Sequence, residues 1–226
     1  MRFPARIKQG EDMKLTLLGT GTPSPSLKRS SSDYLLEIGT DLIVLDHGAG
    51  VHHRLLQTGR KATEVTHVFL THHHYDHCLD YPRLVLQRWD MGADLIPDLF
   101  VYGPPNTQHI TDLLIGPDGA FASDISARIN HQGSIDIFEA RGGRGRRRRP
   151  APVIREVVPG DVVEGSSWRA TVGLSSHVQP DLDCYGYRFD AEGKSICYAG
   201  DSGGVCPTVV ELARDCDVLI HMCHYY

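Results

Sequence analysis

Between positions 71 and 77 the chain reads Thr-His-His-His-Tyr-Asp-His, which sets His72, His74, Asp76 and His77 at His-x-His-x-Asp-His spacing. Neutral imidazole and carboxylate are ligands that zinc takes at about 2.0–2.2 Å. Four such groups within one turn suit two neighbouring cations, about 3.5–4 Å apart in two-metal hydrolytic centres, better than one. A purification tag or a solvated polar loop would also be rich in histidine. The internal position, the apolar run Val68-Phe69-Leu70 just before it and the Asp at fixed spacing favour a metal site.

The elements needed to position such a site are visible as apolar runs. His72 follows Val68–Leu70, and His177 follows the alternating Trp168, Ala170, Val172 and Leu174. Asp201 follows Ile196-Cys197-Tyr198-Ala199, and His221 ends Val218-Leu219-Ile220. Runs of this length and period read as buried or half-buried strands. Four strands therefore each deliver a ligand-type residue just past their C-terminal ends, and one rim of strand ends is where layered α/β folds place chemistry. Thirteen histidines scattered by chance over 226 residues would not readily align in this way.

Other elements follow from local pattern. Leu15–Leu18 reads as a strand, followed by a Gly/Pro/Ser-rich loop to about Ser32. Tyr34, Leu36 and Ile38 alternate, Gly39-Thr40 turns the chain and Leu42–Leu45 returns as a hairpin. Helices are expected over Val51 to Thr58, from Asp80 as a cap with Pro82 in the first turn, near Asn106–Ile115, and behind Pro207. On the helix after Asp80, the residues Tyr81, Leu84, Val85 and Trp89 share one face.

These motifs carry a family resemblance. The His-x-His-x-Asp-His signature, with the distant His177 and the turn Tyr198-Ala199-Gly200-Asp201-Ser202, resembles the metallo-β-lactamase superfamily. Leu18-Gly19-Thr20-Gly21-Thr22-Pro23, Leu45-Asp46-His47-Gly48-Ala49-Gly50 and the strand-end His221 are similar to its ribonuclease Z and arylsulfatase-like branch. The resemblance runs from about Met13 to the last residue. It implies a four-layer αββα sandwich, an α/β fold, in a single domain over residues 13–226 behind an N-terminal tail at 1–12.

By the same resemblance, His72, His74 and His177 would hold a first metal, Asp76 and His77 a second, and Asp201 would bridge the two. Metal-activated water would be the nucleophile, Asp76 would orient it or take its proton, and His221 would protonate the leaving group. A strand-end structural histidine is the other reading of His221. Asp46 is the candidate outer partner of a ligating histidine, or else a plain turn aspartate. His73, at a spacer position, is expected to point away, and Cys78 to pack rather than ligate. The cofactor implied is one or two Zn²⁺ ions per chain, with Mn²⁺ or Fe²⁺ accepted by the same ligands. The loop Gly19-Thr20-Gly21-Thr22 lacks the Lys-Ser/Thr ending of a nucleotide P-loop.

The leading expectation is phosphodiester hydrolysis of the ribonuclease Z kind. A sulfatase, lactonase or thioester hydrolase on the same scaffold is the alternative, as is a non-catalytic binding descendant. Members of the family continue past the His221 strand with a further strand, a last metal-binding His and a closing helix, whereas this chain stops at Tyr226. The expectation drawn from that is a fold incomplete at its C-terminus and a second metal held weakly.

Composition sets outer limits. A charged fraction of 23% and an apolar fraction of 41% are ordinary for a globular protein. No apolar run reaches the ~20 residues that cross a bilayer, and Met1–Arg6 lacks a secretory apolar stretch. Six cysteines without a tight framework suit reduced thiols in a cytoplasm. Residues 116–152 lose pattern and hold Arg141, Arg144, Arg146, Arg147, Arg148 and Arg149 among glycines. Removing those six charges from the total of −5 leaves −11 on the rest, so the basic charge is local. A solvated Gly/Arg loop is one reading and a grip on RNA phosphates is the other. A homodimer is compatible with the family resemblance, and no membrane partner is expected.

Overall fold

The computed structural model describes residues 13–223. The tail assigned to residues 1–12, and His224, lie outside the described residues. Two sheets face each other. The first has the order β1-β2-β3-β4-β5-β6, formed by Lys14–Gly19, Asp33–Ile38, Asp41–Leu45, His67–Phe69, Phe100–Gly103 and Val153–Glu156. β1, β2 and β3 pair antiparallel, and β3 to β6 run parallel. The second sheet has the order β11-β10-β9-β8-β7, from Val218–Ile220, Lys194–Tyr198, Tyr185–Ala191, Arg169–Leu174 and Val162–Glu164. Its pairs are antiparallel except β10 with β11.

The period-two alternation of the strands divides the apolar residues between two cores. Tyr34 and Leu36 of β2, Ile43 and Leu45 of β3 and Phe69 of β4 meet Val172, Tyr187 and Phe189 of the second sheet and Trp168, just before β8. The alternate residues Leu35, Val44, Val68 and Val101 face the other way, onto helices. Those helices are α1 (Val51–Gln57), α3 (Tyr81–Gly92), α4 (Thr107–Ile115) and α5 (Ala122–Asn130), which contribute Leu55, Leu84, Ile115 and Ile125. The short α2 (Tyr75–Cys78) carries the ligand motif, α6 (Gln132–Ala140) packs on α5, and α7 (Pro207–Leu212) covers β8 and β9. Helix, sheet, sheet, helix is the four-layer α/β arrangement that the resemblance implies.

Two expectations change. Asp80 precedes α3, but its side chain caps nothing there; its carboxylate accepts the backbone N–H of His52 at 3.1 Å instead. Residues 116–152 contain α5 and α6; the Gly/Arg segment behind them has no helix or strand, but three of its six arginines are fastened down rather than solvated. Arg147 is 5% exposed, its guanidinium 3.8 Å from the Trp89 ring centre and 2.8 Å from Asp90. Arg141 reaches Asp90 at 2.9 Å, and Arg149 donates to the carbonyls of Ile115 and Gly116 at the end of α4. Ile125 and Phe138 anchor α5 and α6, whereas over residues 141–149 charged side chains do the anchoring and leave no apolar period to read.

Candidate metal centre

β4, β8, β10 and β11 all end on one rim, and the loops leaving them carry His72, His177, Asp201 and His221. The β4 loop turns at once into α2, which brings His74, Asp76 and His77 back over the strand end. Five of these side chains converge. His72 Nε2 lies 3.0 Å from His74 Nδ1, and His177 Nε2 lies 3.4 Å from the same atom. On the other side, His77 Nε2 is 3.5 Å from Asp201 Oδ1, while His177 Nε2 is 3.7 Å from Asp201 Oδ2. Two overlapping ligand triads result, His72–His74–His177 and His72–His77–Asp201. The Asp201 carboxylate spans them. Asp76 is 2% exposed and adjoins the second triad, its Oδ2 3.6 Å from His77 Nε2.

The tautomers can be worked out from the outer contacts. Asp46 accepts the Thr71 N–H at 2.7 Å and the Thr71 hydroxyl proton at 2.9 Å. With its proton spent, Thr71 Oγ1 must accept from His72 Nδ1, 2.9 Å away, which leaves a lone pair on His72 Nε2 facing the centre. His77 Nδ1 likewise donates to Asp46 Oδ2 at 2.8 Å, so its Nε2 faces Asp201 and Asp76. Tyr198 gives Asp46 a further hydrogen bond at 2.7 Å from the opposite sheet. Asp46 thus contacts His77 directly and His72 through Thr71. It adopts φ 60°, a left-handed conformation that Asp tolerates better than most side chains.

This donor set fits a cation. Burial, then the neighbouring His77, pull His72 down to about 2, so it stays neutral with its lone pair inward. Burial opposes charge on His77, yet Asp46 and Asp201 together push it up to about 11. Burial likewise opposes charge on Asp201, but the His77 hydrogen bond and the surrounding imidazoles hold it down to about 2. A lone pair, two carboxylates and inward-facing imidazoles crowd one point. Either a proton on His77 or a metal must supply the positive charge there.

The ligand turn rests on the turn after β3. His47 N–H donates to His77 O at 2.8 Å, and Asp80 N–H donates to His47 O at 2.9 Å. A Cβ on Gly48 would run into the Asp76 carbonyl, so only glycine lets these two backbones meet. Gly48 N–H in turn donates to Asp33, which is fully buried and whose carboxyl is raised well above the usual range by burial and by the charge on Asp46. Thr71, Tyr198 and Asp33 were absent from the sequence expectation. Only the first two had a local signal, each lying directly against a ligand motif.

The remaining candidates are placed as follows. His73 turns away and bonds Thr107 at 2.9 Å. Cys78 is half-buried against the helical core with its thiol pushed up to about 12 by burial, which suits packing. His221 is exposed on the rim; its only side-chain hydrogen bond among the described residues goes to Met222 O at 2.8 Å. Met222 Sδ accepts from Ser202 N at 3.1 Å, which ties the end of β11 to the turn carrying Asp201. His47 is buried against His52, 3.2 Å away, and held to about 3 by burial.

Residues 42–226 match the family described as the beta-lactamase superfamily domain, and the chain belongs to that superfamily. Within it, the chain is similar to ribonuclease Z of Mycolicibacterium gilvum, with 31% identity over 212 residues, covering 92% of this chain and 68% of that one. Ribonuclease Z of Mycobacterium marinum is also 31% identical, over 92% of this chain and 70% of its own length. Among solved structures, the metallo-beta-lactamase fold protein YhfI from Bacillus subtilis matches with TM-score 0.67 at 18% identity, covering 92% of this chain and 70% of that one. Human tRNase Z, short form, matches with TM-score 0.64 at 20% identity, covering 91% and 76%. At those identities the structural likenesses speak for the fold.

Proposed function

We propose that this chain is a metal-dependent phosphodiesterase of the ribonuclease Z kind, acting on RNA in a cytoplasm. The observation that carries the reading is the pair of triads sharing His72, with the Asp201 carboxylate lying between His77 and His177. Likeness to ribonucleases Z at 31% identity supports RNA over other esters.

His72, His74 and His177 would hold one cation and His77 with Asp76 a second, Asp201 reaching both. Zinc is the ion this mixture of imidazole and carboxylate suits, with manganese and iron as other occupants. When bound, the metals supply an activated water near neutral pH and neutralise charge growing on the phosphoryl oxygens. Asp76, buried at the edge of the second triad, is placed to hold that water's proton. Asp46 keeps His77 Nδ1 protonated and, through Thr71, does the same for His72, so His72 presents a lone pair inward and His77 would do so once a cation takes the place of its Nε2 proton. His221, on the solvent side of the rim, is the candidate donor of a proton to the departing oxygen.

Two measurements test this. Elemental analysis of protein purified without added metal should find one to two equivalents of metal, lost on substituting His72. Rates on bis-p-nitrophenyl phosphate, an aryl sulfate and a lactone should rank the phosphodiester first. Inertness toward it alongside turnover of another ester would overturn the reading, and tight binding without turnover of any would make the chain a binding protein.

A further inference from the structure

The six arginines of the 141–149 segment separate into two sets. Arg141, Arg147 and Arg149 are spent on Asp90, Trp89 and the last carbonyls of α4. Arg144, Arg146 and Arg148 are exposed, and among the described residues only Arg148 of the three comes within 4.0 Å of a carboxylate, 3.8 Å from Asp94. Beside them runs an open groove of about 480 Å³ between α5 and the segment, walled by Ser126, Ile129, Asn130 and residues 146–149. No acidic side chain lines it. A second hollow continues it along Arg128, Asn130 and Arg146, again with no carboxylate in its wall. Asp90, Asp94 and Asp124 each lie within 4.0 Å of an arginine.

Its place in the fold matters. The segment leads into the first residue of β6, Val153, which pairs with Phe100 at the start of β5. The ligand loops leave the opposite ends of the parallel strands. A four-residue strand at about 3.3 Å per residue spans roughly 10 Å, and the loops at both ends add to the separation of the two rims. A single nucleotide on the metal centre therefore cannot reach this groove, whereas a longer strand can.

We propose that the groove between α5 and residues 146–149 is a docking site for the phosphate backbone of RNA, distant from the metal centre and set by Arg146 and Arg148, with the exposed Arg144 two residues before Arg146. The proposal rests on the reading of the metal rim as acting on RNA. Three charge arguments choose a polyanion over a lone phosphate. The groove is far larger than one phosphate group. Its free cations are spread over several residues instead of converging. The remainder of the chain carries a net negative charge, so the cationic surface that a polyanion would seek is local. The clamped arginines add rigidity: Arg147, stacked on Trp89 and paired with Asp90, holds the segment so that its neighbours project outward.

The experiment is fluorescence anisotropy of labelled single-stranded RNA of 4 to ~20 nucleotides, titrated with the full chain at several salt concentrations. The wild type is compared with a triple variant, Arg144→Ser, Arg146→Ser and Arg148→Ser, all three at exposed positions. Wild-type affinity should rise with RNA length. In the variant it should fall at least tenfold for long RNA, with the slope of log K against log salt smaller by about 2, as loss of three phosphate contacts predicts. Turnover of bis-p-nitrophenyl phosphate should be the same in both. Tripolyphosphate serves as the small competitor, and displacement of RNA only at high millimolar concentration is the expected result. Unchanged RNA affinity and slope in the variant would overturn the proposal, as would tripolyphosphate binding as tightly as long RNA. Loss of RNA binding in the variant with both proteins inert on the small phosphodiester would keep the groove and sink the catalytic reading instead.

Discussion

The two ends of the parallel strands use polar side chains in opposite ways. At the metal rim, five ligand-type groups face one another at 3.0–3.7 Å, and the cation that would reconcile them comes from outside the chain. At the far end, the charges meet partners from within: Asp90 takes Arg128, Arg141 and Arg147, and Trp89 takes the face of Arg147. One end is an arrangement waiting for a ligand, the other largely satisfied. Abundance of charge is thus a poor guide to a site, and unresolved charge is a better one.

That contrast is open to breaking. The largest effect is expected at the rim: His77→Ala should remove metal from the second triad and cost activity well beyond the roughly 10–100-fold that outer partners of a ligand are worth. Metal content and kcat measured together check it, and a fully active variant would detach the rim from catalysis. Asp46→Ala should fall within that 10–100-fold range in metal affinity, read by competition with a chelating dye, because His77 and His72 lose their orientation together. At the satisfied end, Asp90→Ala should destabilise the fold by about 3 kcal/mol, the low end for a buried pair because Asp90 is partly exposed, since it leaves Arg147 buried without its carboxylate. Denaturant unfolding reads that number, and metal content should be unchanged. Smallest is Tyr198→Phe, about 1.5 kcal/mol for one hydrogen bond to a carboxylate, with a modest fall in metal affinity. An equal loss of metal in Asp90→Ala and Asp46→Ala would erase the distinction between the two ends.

The sequence exposes these ends unequally. His72, His74, Asp76 and His77 are legible because one strand and one turn fix them, so spacing alone implies proximity. His177 and Asp201 are legible as strand-end residues, although which strands adjoin is a matter of tertiary pairing. Asp46 is legible as a turn residue, but its bonds to Thr71 and Tyr198 join it to positions 25 and 152 residues away, pairings that only the tertiary fold makes. Around Arg147 the reading fails for a physical reason. Glycine and arginine carry no amphipathic period, and whether an arginine is solvated or clamped depends on Trp89 and Asp90, more than fifty residues upstream. Asp80 fails in the same way: helix-cap composition is present, while the carboxylate is drawn off to His52.

The carboxylate of Asp46, wholly buried and served from β4's loop, α2 and β10, also carries a kinetic consequence. Its donors come from both sheets, so it loses its hydration with all of them in place only after the sheets have docked. The amide of Thr71 should accordingly exchange with deuterium only through near-global opening, at the rate of the slowest core amides. The same residue that aims the ligands would then make their alignment one of the last events of folding, and metal capture a reporter of its completion.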